Sequence, residues 1–462
     1  MGNENILNQK VSLLSKIFIY SLIFESLLFF VLGDQNTTGI SLSAGKLLQF
    51  VVLLLIIGKQ LISPQNFKVV NIFNSKYKYF SIYLILAVIS GLIGLLNNSY
   101  VLIDKYNTSV FSTGASKIIR SSATRPIIEY LILTYNIFYF IILPRYLLVK
   151  RSNLIYFFKA FEIVFFINLI VGYIDLTALV FGVELLPRHM FENVHVGFRF
   201  HGFAGEPRDA FVYLIFGIGM LSIKSFWLQG SFISKKKIIA FIIALILTQS
   251  GSGMMGILFG GLLIIAYGFI NMSRKKFKYS IVLILALTVI SAISIYTSSR
   301  LQGYLAVTSQ LYAGLKYGAS PPHIFGGQMP NIYPLWDLFS KVLNGNFISL
   351  IFGSGLGSSS IINNNLGFFE TLTNPHSQIV RLIYECGLIG TIMYIIAFVN
   401  PVQILTASLP AKFKQSFIII ILMLIGSSFG HRSTTIFIYI GIFISVFNVY
   451  LRGDVKELVQ HK

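Results

Sequence analysis

Apolar residues along this 462-residue chain come in blocks of about twenty, parted by short polar turns. A helix of that length measures about 30 Å, the thickness of a bilayer's hydrocarbon core. Backbone amides have no water to bond there, so each block is held to a helical conformation. Only 11% of the residues are charged and 55% are hydrophobic, whereas about a quarter are charged in a soluble domain. So few charges do not cover the surface of a soluble protein this size. The sequence predicts an all-α, polytopic membrane protein.

About twelve spans are expected, near 11–32, 40–62, 79–96, 127–149, 154–181, 208–228, 238–250, 253–270, 279–297, 377–399, 416–430 and 434–451. The first is too long for a signal-peptide core and lacks an A-x-A cleavage site, so it counts as a span. Lys and Arg gather in the loops after even-numbered spans: Lys68, Lys76 and Lys78; Lys150 and Arg151; Lys235, Lys236 and Lys237; Arg274, Lys275, Lys276 and Lys278; Lys412 and Lys414. Lys10 near one terminus and Arg452, Lys456 and Lys462 near the other fall on the same side, while the short odd loops hold only Arg432. Basic loops stay in the cytoplasm, so both termini are expected there. The formal charge of +20 is in large part a topology signal, and nucleic acid is not an expected partner.

The chain divides into three parts. Residues 1–297 hold spans one to nine with outer loops 97–126 and 182–207, 298–376 form a large outer loop, and 377–462 hold the last three spans. Within the large loop, 301–317 and 333–351 have helical apolar spacing and are expected along the membrane interface. Segments 318–332 and 352–375, rich in Gly, Pro, Ser and Asn, read as loops.

The single cysteine, Cys386, excludes an internal disulfide and a cysteine metal cluster. There is no D-x-D and no G-x-x-x-x-G-K-[ST], so a soluble-type nucleotide-sugar or ATP site is not expected. The varied polar residues lie on the outer side. Arg199, His201, Glu206 and Arg208 fall within ten residues just before the sixth span. Arginine forks match phosphate oxygens, which suits a diphosphate; contact with lipid headgroups is the plainer reading. Ser250 and Ser252 sit where a helix begins, a place that attracts anions. Yet Ser252, Gly256 and Gly260 also form a small-residue stripe of the kind that packs helices.

The stretch from Asn374 to Gly390 carries the most information. Asn374 suits an N-cap and Pro375 the first helical position, which sets His376 at the outer mouth of the tenth span. Gln378, Arg381 and Glu385 share one helix face, and Arg381 and Glu385 are spaced to pair. Charge in a span is costly in lipid, so this face should meet protein or a wet cavity. Arg120, Arg125, Arg300, His323, Asp337, His431 and Arg432 are weaker candidates, and Glu25, Glu162 and Asp175 lie within spans.

His376-Ser377, with Leu382, Glu385, Gly387, Leu388 and Gly390 after it, resembles the histidine motif of the O-antigen ligase and polymerase superfamily. The run Gly353-Ser354-Gly355-Leu356-Gly357 is similar to that family's G-x-G-x-G segment. Gly202 to Pro207 is similar to the Glu-Pro motif of Wzy-type polymerases, and Gln249-Ser250-Gly251-Ser252 occupies the place of a Ser-rich turn. The chain departs from the family in having Ser377 where Asn is usual, in lacking the arginine of the Ser-rich turn, and in lacking an arginine before Trp336.

The resemblance implies a GT-C-like glycosyltransferase, independent of metal and cofactor, in a bacterial inner membrane with its active site on the periplasmic face. Its donor would be an undecaprenyl-diphosphate-linked oligosaccharide, and its acceptor a second such unit (polymerase) or lipid A–core (ligase). The Glu-Pro element favours polymerase. Membrane lipids, a chain-length regulator and a flippase are the expected partners. His376 and Glu206 would act on the attacking sugar hydroxyl. Arg199, His201, Arg208, Ser250, Ser252, Arg300, Gln378, Arg381 and Glu385 would bind sugar and diphosphate, with cations offsetting the charge on the leaving group. A lipid-linked oligosaccharide transporter is the rival class; transporters show repeated halves and helices broken near the midplane, and the halves of this chain look unlike.

Overall fold

The computed structural model describes residues 11–27, 31–32, 42–62, 74–101, 124–183, 185–186, 199–229, 234–271, 281–282, 285, 329–365, 375–430 and 433–451. In chain order the helices are α1 (Leu13–Phe24), α2 (Ala44–Ile62), α3 (Lys78–Leu96), α4 (Arg125–Leu147), α5 (Arg151–Val180), α6 (Pro207–Gln229), α7 (Lys235–Leu247), α8 (Gly251–Asn271), α9 (Met329–Leu343), α10 (Phe347–Phe352), α11 (Ser358–Asn365), α12 (Gln378–Leu405), α13 (Ala411–Gly430) and α14 (Thr435–Val449). Among the described residues eight are long and apolar enough to cross a membrane: α2 to α6, α8, α12 and α13. The apolar helices α1, α7 and α14 are shorter, at 12, 13 and 15 residues. The expected ninth span and the 301–317 segment fall almost wholly outside the described residues.

Successive spans run in opposite directions, and this sorts their ends. At one end lie Lys76, whose Nζ bonds Asn448 Oδ1 at 2.6 Å, and the Lys-rich start of α7. The start of α12 lies at the other, with the end of α3, the start of α4 and the start of α6. The bundle closes around α14, in which every residue but Asn448 is buried. Such a helix can be apolar all round because no face meets water. The stripe on α8 is a packing seam: a Cβ on Gly256 would lie 2.8 Å from Ser427 Cα of α13, and Gly426 and Gly430 abut Gly260 and Ser252 in return.

Four expectations are corrected. The first span stops at Phe24; the Glu25 carboxylate accepts from Gln49 and from Thr434, the chain turns, and Val31–Leu32 pair antiparallel with Leu42–Ser43. The seventh span, expected over 238–250, begins three residues earlier and ends at Leu247, where the Arg199 side chain meets the carbonyls of Thr248 and Gln249. Segment 352–375 is not all loop, because 358–365 is helical; Ser358 and Ser360 return their hydroxyls to the Gly355 and Gly357 carbonyls. Finally, α12 starts at Gln378 rather than at Pro375: Ser377 takes the extended N-cap conformation, and its hydroxyl donates to the Phe429 carbonyl at 2.7 Å.

Two irregularities shape the bundle. Residues 137–142 of α4 form a π-turn, with Leu143 N bonding back to the Phe138 carbonyl at 2.9 Å. In α12, Gly387 has φ 69° and ψ −173°, so the helix breaks there. The break frees carbonyls that the glycine run satisfies: Ser354 N donates to the Tyr384 carbonyl (2.8 Å) and Gly355 N to that of Glu385 (3.0 Å). Ser90 of α3 donates to the same Glu385 carbonyl. Gly353, Gly355 and Gly357 all have positive φ, and a Cβ on Gly353 would collide with the Glu385 backbone. Backbone thus packs on backbone, which only glycine permits.

Gly387→Ala should therefore lower stability by about 1–3 kcal/mol, read as an earlier unfolding midpoint in detergent. Gly91→Ala on α3, where a Cβ meets nothing within 4 Å, should stay within about 0.5 kcal/mol of the parent.

Candidate functional site

Two groups of polar side chains meet where α12 begins. The first is a chain of four charges, three of them buried and Arg125 partly so. Pro126 sets the first turn of α4, and Arg125 pairs with Glu129 one turn on, at 2.8 Å. The other oxygen of Glu129 receives Arg381 at 2.6 Å, and Arg381 Nε donates to Glu385 Oε2 at 3.0 Å. Ser359 Oγ of α11 donates to Glu385 Oε1 at 2.5 Å. Glu129, Arg381 and Glu385 are 3%, 5% and 1% exposed. The signs alternate and sum to zero, which makes such burial tolerable.

A side branch ties α9 to this group. Asp337 Oδ2 accepts from the Tyr384 hydroxyl at 2.6 Å and from Lys341 at 2.7 Å, and Lys341 Nζ lies 3.5 Å from Ser354 Oγ. Tyr100, beyond the end of α3, donates its hydroxyl to the Leu356 carbonyl at 3.1 Å. Burial, with the Glu385 carboxylate behind it, holds that phenol well above its ordinary range. It keeps its proton and donates it in the hydrogen bond to Leu356, which anchors the glycine run.

The second group is partly open. Arg208 Nε lies 2.5 Å from Glu206 Oε2, and the two side chains are 30% and 27% exposed. Arg208 Nη1 stands 3.4 Å from His376 Nδ1. Arginine has no acceptor, so in this pose Nδ1 holds the lone pair and Nε2 the proton. The Ser377 bond to Phe429 fixes the mouth of α12 to the last turn of α13. His376 lies two residues before α12, and Arg381 is in the first turn of that helix.

The remaining expected residues lie at a neighbouring corner. Arg199 donates from Nε to the Thr248 carbonyl (3.1 Å) and from Nη2 to that of Gln249 (2.8 Å). A cation at a helix C-terminus satisfies orphan carbonyls and complements the dipole, so Arg199 caps α7. His201 is 1% exposed, with Nε2 3.4 Å from Asp175 Oδ2 of α5. Asp175 Oδ1 also accepts from the amides of Leu185 and Leu186 (3.2 and 3.0 Å). Ser250 Oγ accepts from Gly253 N at 3.1 Å, which caps α8, and stands 3.2 Å from Ser252 Oγ. Gln378, the first residue of α12, is half-buried. Arg300, Arg120, His323, Asn374, His431 and Arg432 lie outside the described residues.

The structure thus brings Glu206, Arg208 and His376 together and pairs Arg381 with Glu385, as their spacing predicted. It places Arg199, His201, Ser250 and Ser252 in bonds that shape the adjoining corner. Glu129, Ser90 and Ser359 were not anticipated. Glu129 had a signal: a carboxylate within an apolar block requires a cation, and Arg125 stands four residues before it. The serines had none, since their partners are distant in sequence.

Comparison of the chain with protein-family models, with curated proteins and with solved structures finds no match in any of the three. Fold and site alone define the class: a polytopic helical membrane protein with a polar, partly open site at one end of the bundle.

Removing one member of a buried ion pair costs about 3–5 kcal/mol. Arg381→Met should show a loss of that size in detergent unfolding, and adding Glu129→Gln to it should restore part of the loss. Equal stability of Arg381→Met and the parent would mean that the four-charge chain carries no structural weight.

Proposed function

We propose that this protein is a membrane glycosyltransferase that polymerises undecaprenyl-diphosphate-linked oligosaccharide units into O-antigen or a related surface polysaccharide. In this role it sits in a bacterial inner membrane with its Lys-rich end in the cytoplasm and its site on the periplasmic face. The observation that carries the proposal is the Glu206–Arg208–His376 group, partly exposed at the end of the bundle away from the basic loops. A lipid-linked donor stands in the membrane and presents its diphosphate at the surface, where this group lies.

Transfer breaks the bond between the sugar anomeric carbon and the diphosphate, and the leaving oxygen gains negative charge. Arg208 and the Nε2–H of His376 are the donors for that charge. Glu206, held against Arg208, is the acceptor for the proton of the attacking hydroxyl. The motif resemblance from Gly202 to Gly390 supports Glu206 in this role; it would set His376 on the attacking hydroxyl too, and His376 is assigned here to the leaving group instead because its Nδ1 faces Arg208. Arg199 and His201 serve it by fixing the loop that carries Glu206.

One observation favours a transporter instead: the break at Gly387, close to buried charges. The freed carbonyls, however, are bonded by the Gly353–Gly357 run and by Ser90 rather than held open for a passenger.

Purified protein incubated with a defined lipid-linked repeat unit should give a ladder of longer products on a gel. His376→Ala and Arg208→Ala should each reduce chain growth by about 100-fold or more while the protein stays folded in the membrane. Movement of the unit across liposomes without glycosidic bond formation would support transport, and extension only when lipid A–core is added would support ligase. Full-length polymer from both variants sinks the site.

A further inference from the structure

The hairpin made by α9 and α10 is amphipathic in the wrong sense for water. Its charged residues, Asp337 and Lys341, point inward to Tyr384 and Ser354, on the same stripe as buried Leu338. Five of its large apolar residues point outward, while Tyr333 and Leu338 are buried. Phe339 and Leu343 of α9 are 54% and 77% exposed, and Phe347, Ile348 and Ile351 of α10 are 57%, 57% and 40% exposed. A helix folding against a core from water would place these sets the other way round. An exposed apolar surface of this kind marks a binding face, and its surroundings say for what.

α10 packs against α3, and Gly94 of α3 abuts the Ser354 carbonyl just beyond α10. The outward row of α3 at that level, Leu92, Leu95 and Leu96, is equally exposed. That row belongs to a helix long and apolar enough to span a bilayer. The outer faces of α9 and α10 therefore continue a lipid-facing surface.

We propose that α9 and α10 form a membrane-embedded hairpin whose Phe339, Leu343, Phe347, Ile348 and Ile351 side chains are immersed in the acyl chains of the leaflet at the site end of the bundle. The polar turn at Asn344–Asn346 then reaches back toward the headgroups, and the inward Asp337–Lys341 pair is shielded from water by lipid on one side and α12 on the other. The glycine run, bonded to the α12 break, is thereby held at membrane depth. The hairpin's place in the bilayer does not depend on glycosyltransferase activity.

The chain has two tryptophans. Trp227 is buried, and Trp336, half-buried, shares by helical spacing the α9 stripe of Phe339 and Leu343. Full-length Trp227→Phe protein is reconstituted in bilayers whose lipids carry bromine near the top of the acyl chains. Trp336 emission should fall by roughly half or more, as for a helix lying about 5–10 Å below the headgroups, and aqueous iodide should leave it unchanged. Quenching by iodide without bromine overturns the proposal in favour of a water-facing hairpin; quenching by neither overturns it in favour of a protein cover. Should Trp227→Phe fail to fold, Leu343→Cys carrying a polarity-sensitive dye gives the same readings, because Cys386 is buried.

Discussion

Arg381 is gripped from both sides, by Glu129 of α4 at 2.6 Å and by Glu385 of its own helix at 3.0 Å. In a medium that cannot solvate charge, such a grip is directional: the guanidinium must stay where both carboxylates are, and so must the helices that carry them. α4 and the first two turns of α12 are thus locked together. α11 joins through Ser359, and α9 through Tyr384. The break at Gly387 gives the same segment its second set of ties, because the freed carbonyls of Tyr384 and Glu385 bind the glycine run and Ser90.

That rigidity serves the residues just above it. His376 and Ser377 precede α12 without intervening slack, and Ser377 is tied to α13. Arg208 approaches from α6, whose own entry is fixed by the Arg199 and His201 contacts with α7 and α5. Two separately braced elements therefore present Glu206, Arg208 and His376 to one another. A site that must hold a flexible lipid-linked chain gains from walls that do not yield.

Most of the spans were legible because hydrocarbon imposes length and composition together; those expected over 79–96 and 208–228 are the helices Lys78–Leu96 and Pro207–Gln229. The Arg381–Glu385 pair was legible for a related reason, since charge four residues apart inside an apolar block has few other uses. Local pattern failed where distant bonds decide. The Ser- and Asn-rich 358–365 segment reads as loop, yet it is helical because its hydroxyls return to Gly355 and Gly357 and reach Glu385. The break at Gly387 is hidden in a sequence whose apolar periodicity runs straight through it. Glu206, Arg208 and His376 were expected on one side of the membrane, but the contact of Arg208 with His376 joins residues 168 apart, and no pattern along the chain encodes it. Arg199 was expected on phosphate and is found on carbonyls because the C-terminal end of α7 needs a donor.

The π-turn in α4 has a consequence of its own. A π-turn holds one residue more than the α-helix it interrupts, so the residues on its N-terminal side are rotated by about 100° relative to those on its C-terminal side. On one side of that turn α4 presents Glu129 to α12; within it, the Phe140 carbonyl lies so near Gly441 of α14 that a Cβ there would collide. One helix thus addresses two neighbours at two azimuths. Between residues 137 and 142 the chain is therefore constrained in length more than in identity. Exchange of one apolar side chain for another changes a contact, whereas gain or loss of a single residue turns the carboxylate of Glu129 away from its arginine.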